Sequence, residues 1–133
     1  MKSRTGMHLN RDCLILTIRS ELYDEFVEWV QKGILEKFGR SRLNGVVIDL
    51  AGVTLVDTHQ ARKLFDTAKM VRLFGGHTVF TGISAGIAVS LVDLGIEPGE
   101  FFTAAGIEQG VALLEAVKND TKYSHGQQDG SQV

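Results

Sequence analysis

The chain has 133 residues, a formal net charge of −2 and 44% hydrophobic residues, values typical of one globular domain with its own core. This charge balance argues against a nucleic-acid-binding surface. The single cysteine, Cys13, excludes a disulfide framework, and its apolar neighbours predict a buried, neutral thiol. No apolar run reaches the ~18 residues of a membrane span, and residues 1–6 lack the apolar core of a secretion signal, so we expect a cytoplasmic protein.

The apolar pattern predicts one domain over residues 8–118, with a flexible arm at 1–7 and a disordered tail at 119–133. The first predicted element is a buried strand at Cys13–Ile18. Ser20 and Glu21 then start a helix that ends at Gly39. Its apolar positions recur at helical spacing: Leu22, Phe26, Trp29, Val30, Ile34 and Phe38.

The second strand, Val46–Asp49, is short and wholly apolar before its terminal carboxylate. Asp57 then opens the most regular helix of the chain, which Gly75 and Gly76 end. One face of this helix is apolar and predicted to be buried: Ala61, Leu64, Phe65, Ala68 and Val71. The opposite face is charged: Arg62, Lys63, Asp66, Lys69 and Arg72.

A third strand is predicted at Thr78–Thr81, and Ser84 caps a helix that runs to about Leu94. A short edge strand at Phe101–Thr103 and a last helix at Ile107–Val117 follow. Because strands alternate with helices, the middle of the chain is predicted to be a parallel βαβαβ arrangement with right-handed crossovers.

The strand–turn–Asp-Thr–helix order around Asp57 and Thr58 is the most informative feature. It places a hydroxyl at the positive end of a helix, where backbone N–H groups can face a phosphate. Two interpretations follow: the pair only caps the helix, a contribution of ~1 kcal/mol, or Thr58 accepts a phosphate from another protein. Both hold if Asp57 caps and Thr58 is exposed.

Other kinds of functional site have little support in the sequence. A receiver-type site built on Asp49 and Asp57 would need further acids and a lysine after a later strand, so Asp49 is expected to bind turn backbone. The glycine-rich segment at 82–86 lacks the Gly-Lys-Ser/Thr ending of a phosphate loop. The four histidines have no metal-ligand spacing. We therefore expect no metal and no cofactor.

The chain resembles the STAS domains of anti-sigma factor antagonists, closest to the stressosome subgroup of short RsbS-type antagonists and the C-terminal domains of RsbR-type sensors. The segments that carry the resemblance are Val46–Leu50, Val56–Thr58, Ala68–Gly76, Thr81–Ile83 and Ile87–Ile96. It implies an α/β, SpoIIAA-like STAS fold, with a small mixed β-sheet and helices packed mainly on one side.

The resemblance also implies a bacterial, non-enzymatic stress-signalling protein. Such a protein sequesters a serine/threonine switch kinase and releases it when phosphorylated, and a PP2C-type phosphatase resets it. Thr58 falls on the phosphoacceptor position, which is usually Ser in the short antagonists and Thr in the sensors, and Ser90 falls on a second one. Asp57, Thr58, His59 and Arg62 form the expected partner-binding surface, and paralogous STAS proteins in a stressosome-like assembly are expected partners.

Two other classes stay open from the sequence. A small α/β enzyme would need a nucleophile, a base and oxyanion donors close together. A small-molecule- or nucleotide-binding STAS module would need a deep apolar pocket with convergent polar groups. A homo-oligomer is a further alternative, whereas nucleic-acid and membrane partners are not expected.

Overall fold

A computed structural model of the protein describes residues 5–19, 24–53, 57–97, 99 and 101–131, without the side chains of 5, 24 and 120–131. These ranges hold five strands and four helices. The strands are β1 (Thr5–Asn10), β2 (Cys13–Ile18), β3 (Gly45–Asp49), β4 (His77–Thr81) and β5 (Phe102–Ala104). The helices are α1 (Asp24–Arg40), α2 (Thr58–Leu73), α3 (Ala85–Leu94) and α4 (Ile107–Ser131).

The five strands form one mixed sheet in the order β1-β2-β3-β4-β5. β1 and β2 are antiparallel, and every other neighbouring pair is parallel. The parallel pairs are joined through α1, α2 and α3, as the alternation of strands and helices predicted. The predicted fold class is thus confirmed.

The two faces of the sheet bury different helices, because successive side chains of a strand point to opposite faces. Val46 and Ile48 of β3 enter the larger core, which α1, α2 and α3 cover. Val47 lies in a smaller core with Cys13, and Leu114 of α4 closes that core. Three helices therefore lie on one face and α4 on the other, in accord with helices packed mainly on one side.

Helix ends follow the predicted chemistry in α2 and α3. Ser84 Oγ accepts a hydrogen bond from the Ile87 backbone N–H, and Gly95 ends α3 with a left-handed φ of 71°. The first helix differs, because α1 continues through Gly39 to Arg40. The proposed start signal of α1, Ser20 and Glu21, lies outside the described residues.

The start of the chain also differs from the prediction, since residues 5–7, assigned to a flexible arm, belong to β1. β1 pairs along its whole length with β2, from Thr5 opposite Ile18 to Asn10 opposite Cys13. Backbone hydrogen bonds carry this pairing, and only two apolar side chains of β1 alternate with polar ones: Met7 packs against the larger core, whereas Leu9 is 48% exposed. An edge strand of this kind leaves little signal in an apolar pattern.

The end of the chain differs as well, because α4 continues to Ser131 through the segment predicted to be disordered. The apolar side chains of α4 that pack against the sheet are Ile107, Val111, Leu113 and Leu114. The apolar period could therefore predict only this first part of the helix.

Trp29, predicted to face the core from α1, is 56% exposed. Val27 is fully buried in its place, together with the predicted Val30 and Ile34. Trp29 instead stacks on Phe26, with ring centroids 6.0 Å apart. The apolar stripe of α1 is wider than the buried one, so spacing alone could not tell which aromatic ring stays at the surface.

Candidate functional site

The amino end of α2 carries the predicted site. Asp57 is the N-cap in extended conformation (φ −68°, ψ 142°), and its Oδ1 accepts the His59 backbone N–H at 2.7 Å. Thr58 is the first residue of the helix, and its side chain is exposed. The two side chains therefore have separate roles. The Asp57 carboxylate accepts a backbone N–H at the start of the helix, and the Thr58 hydroxyl stays accessible.

The turn before this helix is packed tightly against its neighbours. The Leu50 N–H donates to the Thr81 carbonyl at 2.8 Å, which joins the turn to the end of β4. Gly82 has a φ of +68°, and a Cβ there would lie 2.8 Å from the Ala51 backbone nitrogen. Only glycine satisfies both constraints without strain. Residues 54–56, part of the sequence motif, lie outside the described residues.

Asp49, at the carboxyl end of β3, accepts a hydrogen bond from Thr81 Oγ1 at 2.7 Å. The partner is therefore a side chain of the adjacent strand, rather than the turn backbone that the sequence suggested. Thr81 is fully buried, so this bond satisfies a hydroxyl that cannot reach water. Asp49 and Asp57 share no metal-ligand cluster within the described ranges.

Arg62 lies one turn after Thr58 and is exposed, as the partner-surface prediction required. Its guanidinium donates to the Leu94 carbonyl at 3.0 Å, at the end of α3. Lys63, expected on the outer face of α2, instead turns toward α1 and pairs with Glu28 at 2.7 Å. The charged face is therefore partly an interhelical contact.

Ser90, the second predicted acceptor, is half-buried within α3. Its Oγ donates to the Gly86 carbonyl one turn earlier, at 3.2 Å. The hydroxyl is thus engaged by its own helix, a local bond typical of serine inside helices. The structure gives Ser90 a less accessible setting than Thr58.

The family model of the STAS domain matches residues 6–114. The chain belongs to the STAS domain family. Among its relatives in Bacillus subtilis, the uncharacterized protein YezB is 34% identical over 51% of this chain and 69% of its own length. The RsbT co-antagonist protein RsbRA is 31% identical over 74% of this chain. The chain spans only about a third of RsbRA, 34% of its length.

A solved structure supports the same STAS fold. A single-substitution variant of RsbS from Moorella thermoacetica superposes with a TM-score of 0.77 at 24% identity, covering 87% of this chain and 98% of that one. At this identity the likeness concerns the fold. No helix among the described residues of this STAS domain is long and apolar enough to cross a membrane.

One cluster with metal-ligand geometry was not found from the sequence. Ligand atoms of Asp12, Cys13 and Glu115 lie within 4.8 Å of one another, the only such group among the described residues. Asp12 is already paired with Lys118 at 2.5 Å, and that hydrogen bond lowers the pKa of Asp12. Burial raises the pKa of Cys13 to about 11, so the thiol is neutral, as predicted.

A cavity of about 460 Å³ lies at the other end of α2, beside the start of β4. We call it the α2–β4 cavity. Ala68, Leu73, Phe101 and Phe102 provide its apolar wall, and Lys69, Arg72, His77 and Thr78 its polar groups. The sequence pattern had not led us to predict this cavity. A signal was present, since Thr78 alternates with Phe80 and so places a hydroxyl on a core-facing position.

Proposed function

We propose that this STAS protein is a phosphorylation-regulated anti-sigma factor antagonist of the stressosome type. It binds a serine/threonine switch kinase through the amino end of α2 and releases it when Thr58 is phosphorylated. A PP2C-type phosphatase resets the switch. The protein acts by binding rather than by catalysis, as a cytoplasmic component of an assembly of paralogous STAS domains.

The single observation that carries this proposal is the setting of Thr58. Its side chain is exposed at the first position of α2, while Asp57 caps the helix. An incoming kinase can therefore reach the hydroxyl without unfolding the turn. The matching family model and the RsbT co-antagonist relative support the same class of function.

The physics of a phosphate at Thr58 favours a binding switch over an unfolding switch. A phosphate adds about −1.5 to −2 charges, and the positive end of a helix tolerates that charge. A docked partner would have to desolvate the same charge or pair it with a cation. Phosphorylation should therefore leave the domain folded and weaken the complex.

The partner surface is proposed to consist of Asp57, Thr58, His59 and Arg62, all exposed. Arg62 extends this surface to α3 through its bond to the Leu94 carbonyl. Ser90 remains a proposed second acceptor. Because its hydroxyl is half-buried and bonded to Gly86, we expect it to be modified more slowly than Thr58.

The direct test is incubation with the cognate kinase and ATP, followed by phosphopeptide mapping. We expect phosphate on Thr58, and none on a Thr58→Val variant. Thr103, an exposed threonine on β5, is the internal control for nonspecific transfer. Phosphate elsewhere with Thr58 unmodified would refute the assignment.

A second test measures kinase binding directly, by co-purification and by titration. Thr58→Asp should bind the kinase at least about tenfold more weakly than the unmodified protein, because it places a permanent anion in the interface. Thr58→Val should retain binding. Thr103→Asp supplies the matched control, with the same substitution at an exposed threonine on another element; equal losses in both acidic variants would contradict the proposed surface.

A further inference from the structure

A buried hydroxyl without a partner in the described part of the chain belongs to a residue that lines the α2–β4 cavity. Thr78 is 2% exposed, and its Oγ1 has no hydrogen-bond partner among the residues that the structure describes. Thr81, three residues later on the same strand, is equally buried but donates to Asp49. Buried hydroxyls are normally paired, so Thr78 has unused capacity to bind a ligand.

The sheet edge explains why the cavity exists. β5 pairs with β4 only from Val79, which lies opposite Phe102, so the backbone of His77 and Thr78 has no paired strand on the described β5 side. Phe101 and Phe102 line the space from the β5 side, and Leu73 lines it from α2. The volume of about 460 Å³ falls in the range of small-molecule sites.

Arg72 gives the mouth of the cavity its charge. It lies on the exposed side of α2 and lines the cavity, together with Lys69. Lys69 is 3.8 Å from Asp66, which offsets part of its charge, so Arg72 is the main cation at the mouth. The carboxyl end of a helix carries about half a negative charge, which one full guanidinium charge outweighs.

We propose that the α2–β4 cavity binds a small organic carboxylate, whose anionic group meets Arg72 and whose far end accepts a hydrogen bond from Thr78 Oγ1. The body of the ligand lies against Leu73, Phe101 and Phe102. A planar, apolar body suits this wall, because aromatic rings stack on one another in offset or edge-to-face geometry. This inference goes beyond the proposed function and does not depend on phosphorylation.

The site is separate from the partner surface. Thr58 and Arg72 lie fourteen residues apart on one helix, a separation of about 21 Å at roughly 1.5 Å per residue. A small carboxylate in the cavity therefore cannot touch Thr58. Binding at the cavity and phosphorylation at Thr58 can be measured independently, so the failure of one proposal leaves the other intact.

The test is a titration of the isotope-labelled full chain followed by backbone amide NMR. The probes are 4-hydroxybenzoate, which has a carboxylate and a distant hydroxyl, benzoate, which lacks the hydroxyl, and benzylamine, which has the opposite charge. We expect saturable shifts at Arg72, His77, Thr78 and Phe102 with both acids, a lower Kd for 4-hydroxybenzoate, and no saturable shift with benzylamine.

Two variants separate the two polar contacts. Arg72→Gln should weaken both acids about tenfold, as expected for a lost charge-assisted hydrogen bond. Thr78→Val should remove the preference for 4-hydroxybenzoate while leaving the Kd of benzoate unchanged. Arg40→Gln, at the exposed end of α1, is the matched control and should bind like the unmodified protein.

The outcomes that would overturn the proposal are equally specific. Shifts confined to the Thr58 end, unsaturable shifts across the whole surface, or equal affinity for benzylamine would each contradict it. A Thr78→Val variant that keeps the preference for 4-hydroxybenzoate would also contradict the assigned orientation. The amide spectrum of each variant reports its fold in the same experiment.

Discussion

Two regions beside α2 and β4 differ in how their polar groups are satisfied: the Thr58 end of α2, beside the end of β4, and the Arg72 end of α2, beside the start of β4. At the Thr58 end, Asp57 holds a backbone N–H and Asp49 holds the buried Thr81 hydroxyl. At the opposite end, the buried Thr78 hydroxyl has no partner within the described structure and borders an open cavity. Where the hydrogen-bonding groups are paired, the surface can present an exposed side chain to a protein. Where a buried hydroxyl is unpaired beside a cavity, the site is suited to a ligand.

The largest expected effect comes from truncating Phe80, which lies on β4 between the two buried threonines. Phe80 is fully buried, and its ring lies 4.0 Å from that of Phe65 and 5.2 Å from that of Phe101. Phe80→Ala should lower the free energy of unfolding by about 3–5 kcal/mol, because it leaves a cavity in a packed core. Urea denaturation measures this change.

The control for Phe80→Ala is Val92→Ala, since Val92 is 79% exposed. This surface substitution should change the free energy of unfolding by less than about 0.5 kcal/mol. A similar loss in both variants would mean that the packing of the Phe80 ring does not stabilise the core.

The next effect compares the two buried threonines of β4 directly. Thr81→Val leaves the Asp49 carboxylate without its donor and should destabilise the fold by about 1–3 kcal/mol. Thr78→Val removes an unpaired buried hydroxyl at nearly constant volume and should stabilise the ligand-free protein by about 1 kcal/mol. The midpoints of urea denaturation should therefore move in opposite directions.

The helix cap gives a smaller effect at the Thr58 end. Asp57→Ala removes the acceptor of the His59 N–H and should destabilise the protein by about 1 kcal/mol. Asp57→Asn preserves a capping oxygen and should stay close to the unmodified protein. Thermal denaturation of the pair distinguishes loss of the cap from loss of the charge; equal losses would assign the effect to charge.

The smallest expected effect is a pH dependence at the cavity end. Burial, with a further contribution from the Arg72 charge, holds the pKa of His77 below its ordinary value of 6.5. Well above this ordinary value, both folded and unfolded chains keep His77 neutral. As the pH falls through it, the unfolded chain binds the proton first, and stability decreases until the lower folded pKa is passed.

His77→Gln is the matched variant for this measurement, because it keeps a polar side chain that does not titrate. The stability of the unmodified protein relative to this variant should fall as the pH is lowered from about 7.5 through the ordinary histidine pKa of 6.5 in urea titrations. A constant difference over that range would show that His77 does not carry the effect.

The caps of α2 and α3 could be predicted from local chemistry. Asp57 and Ser84 are side chains that favour N-caps, and both cap in the structure. The buried face of α2 follows its helical period, with Ala61, Leu64, Phe65, Ala68 and Val71 all buried. These features depend on residues close in sequence, so the pattern alone carries them.

The edge strand and Trp29 required tertiary information. β1 is held by backbone pairing to β2, which does not depend on side-chain type. The turn between them places Arg11 at a φ of 62°, where glycine, asparagine or aspartate is the usual signal. Trp29 lies at the margin of a stripe whose width depends on how closely α1 packs against its neighbours.

The sequence alone determined the order of strands and helices from β2 to α4, the capped start of α2 and the resemblance to STAS domains, because these depend on local periods and short motifs. Only the tertiary structure decided that Arg62 reaches the end of α3, that Asp49 pairs with Thr81 and that Thr78 borders a cavity. The first two contacts each join residues 32 positions apart, and the cavity is lined by residues of separate elements. The register of β3 against β4 sets the Asp49–Thr81 contact, and the packing of helices on the sheet sets the other two features; no local pattern encodes either.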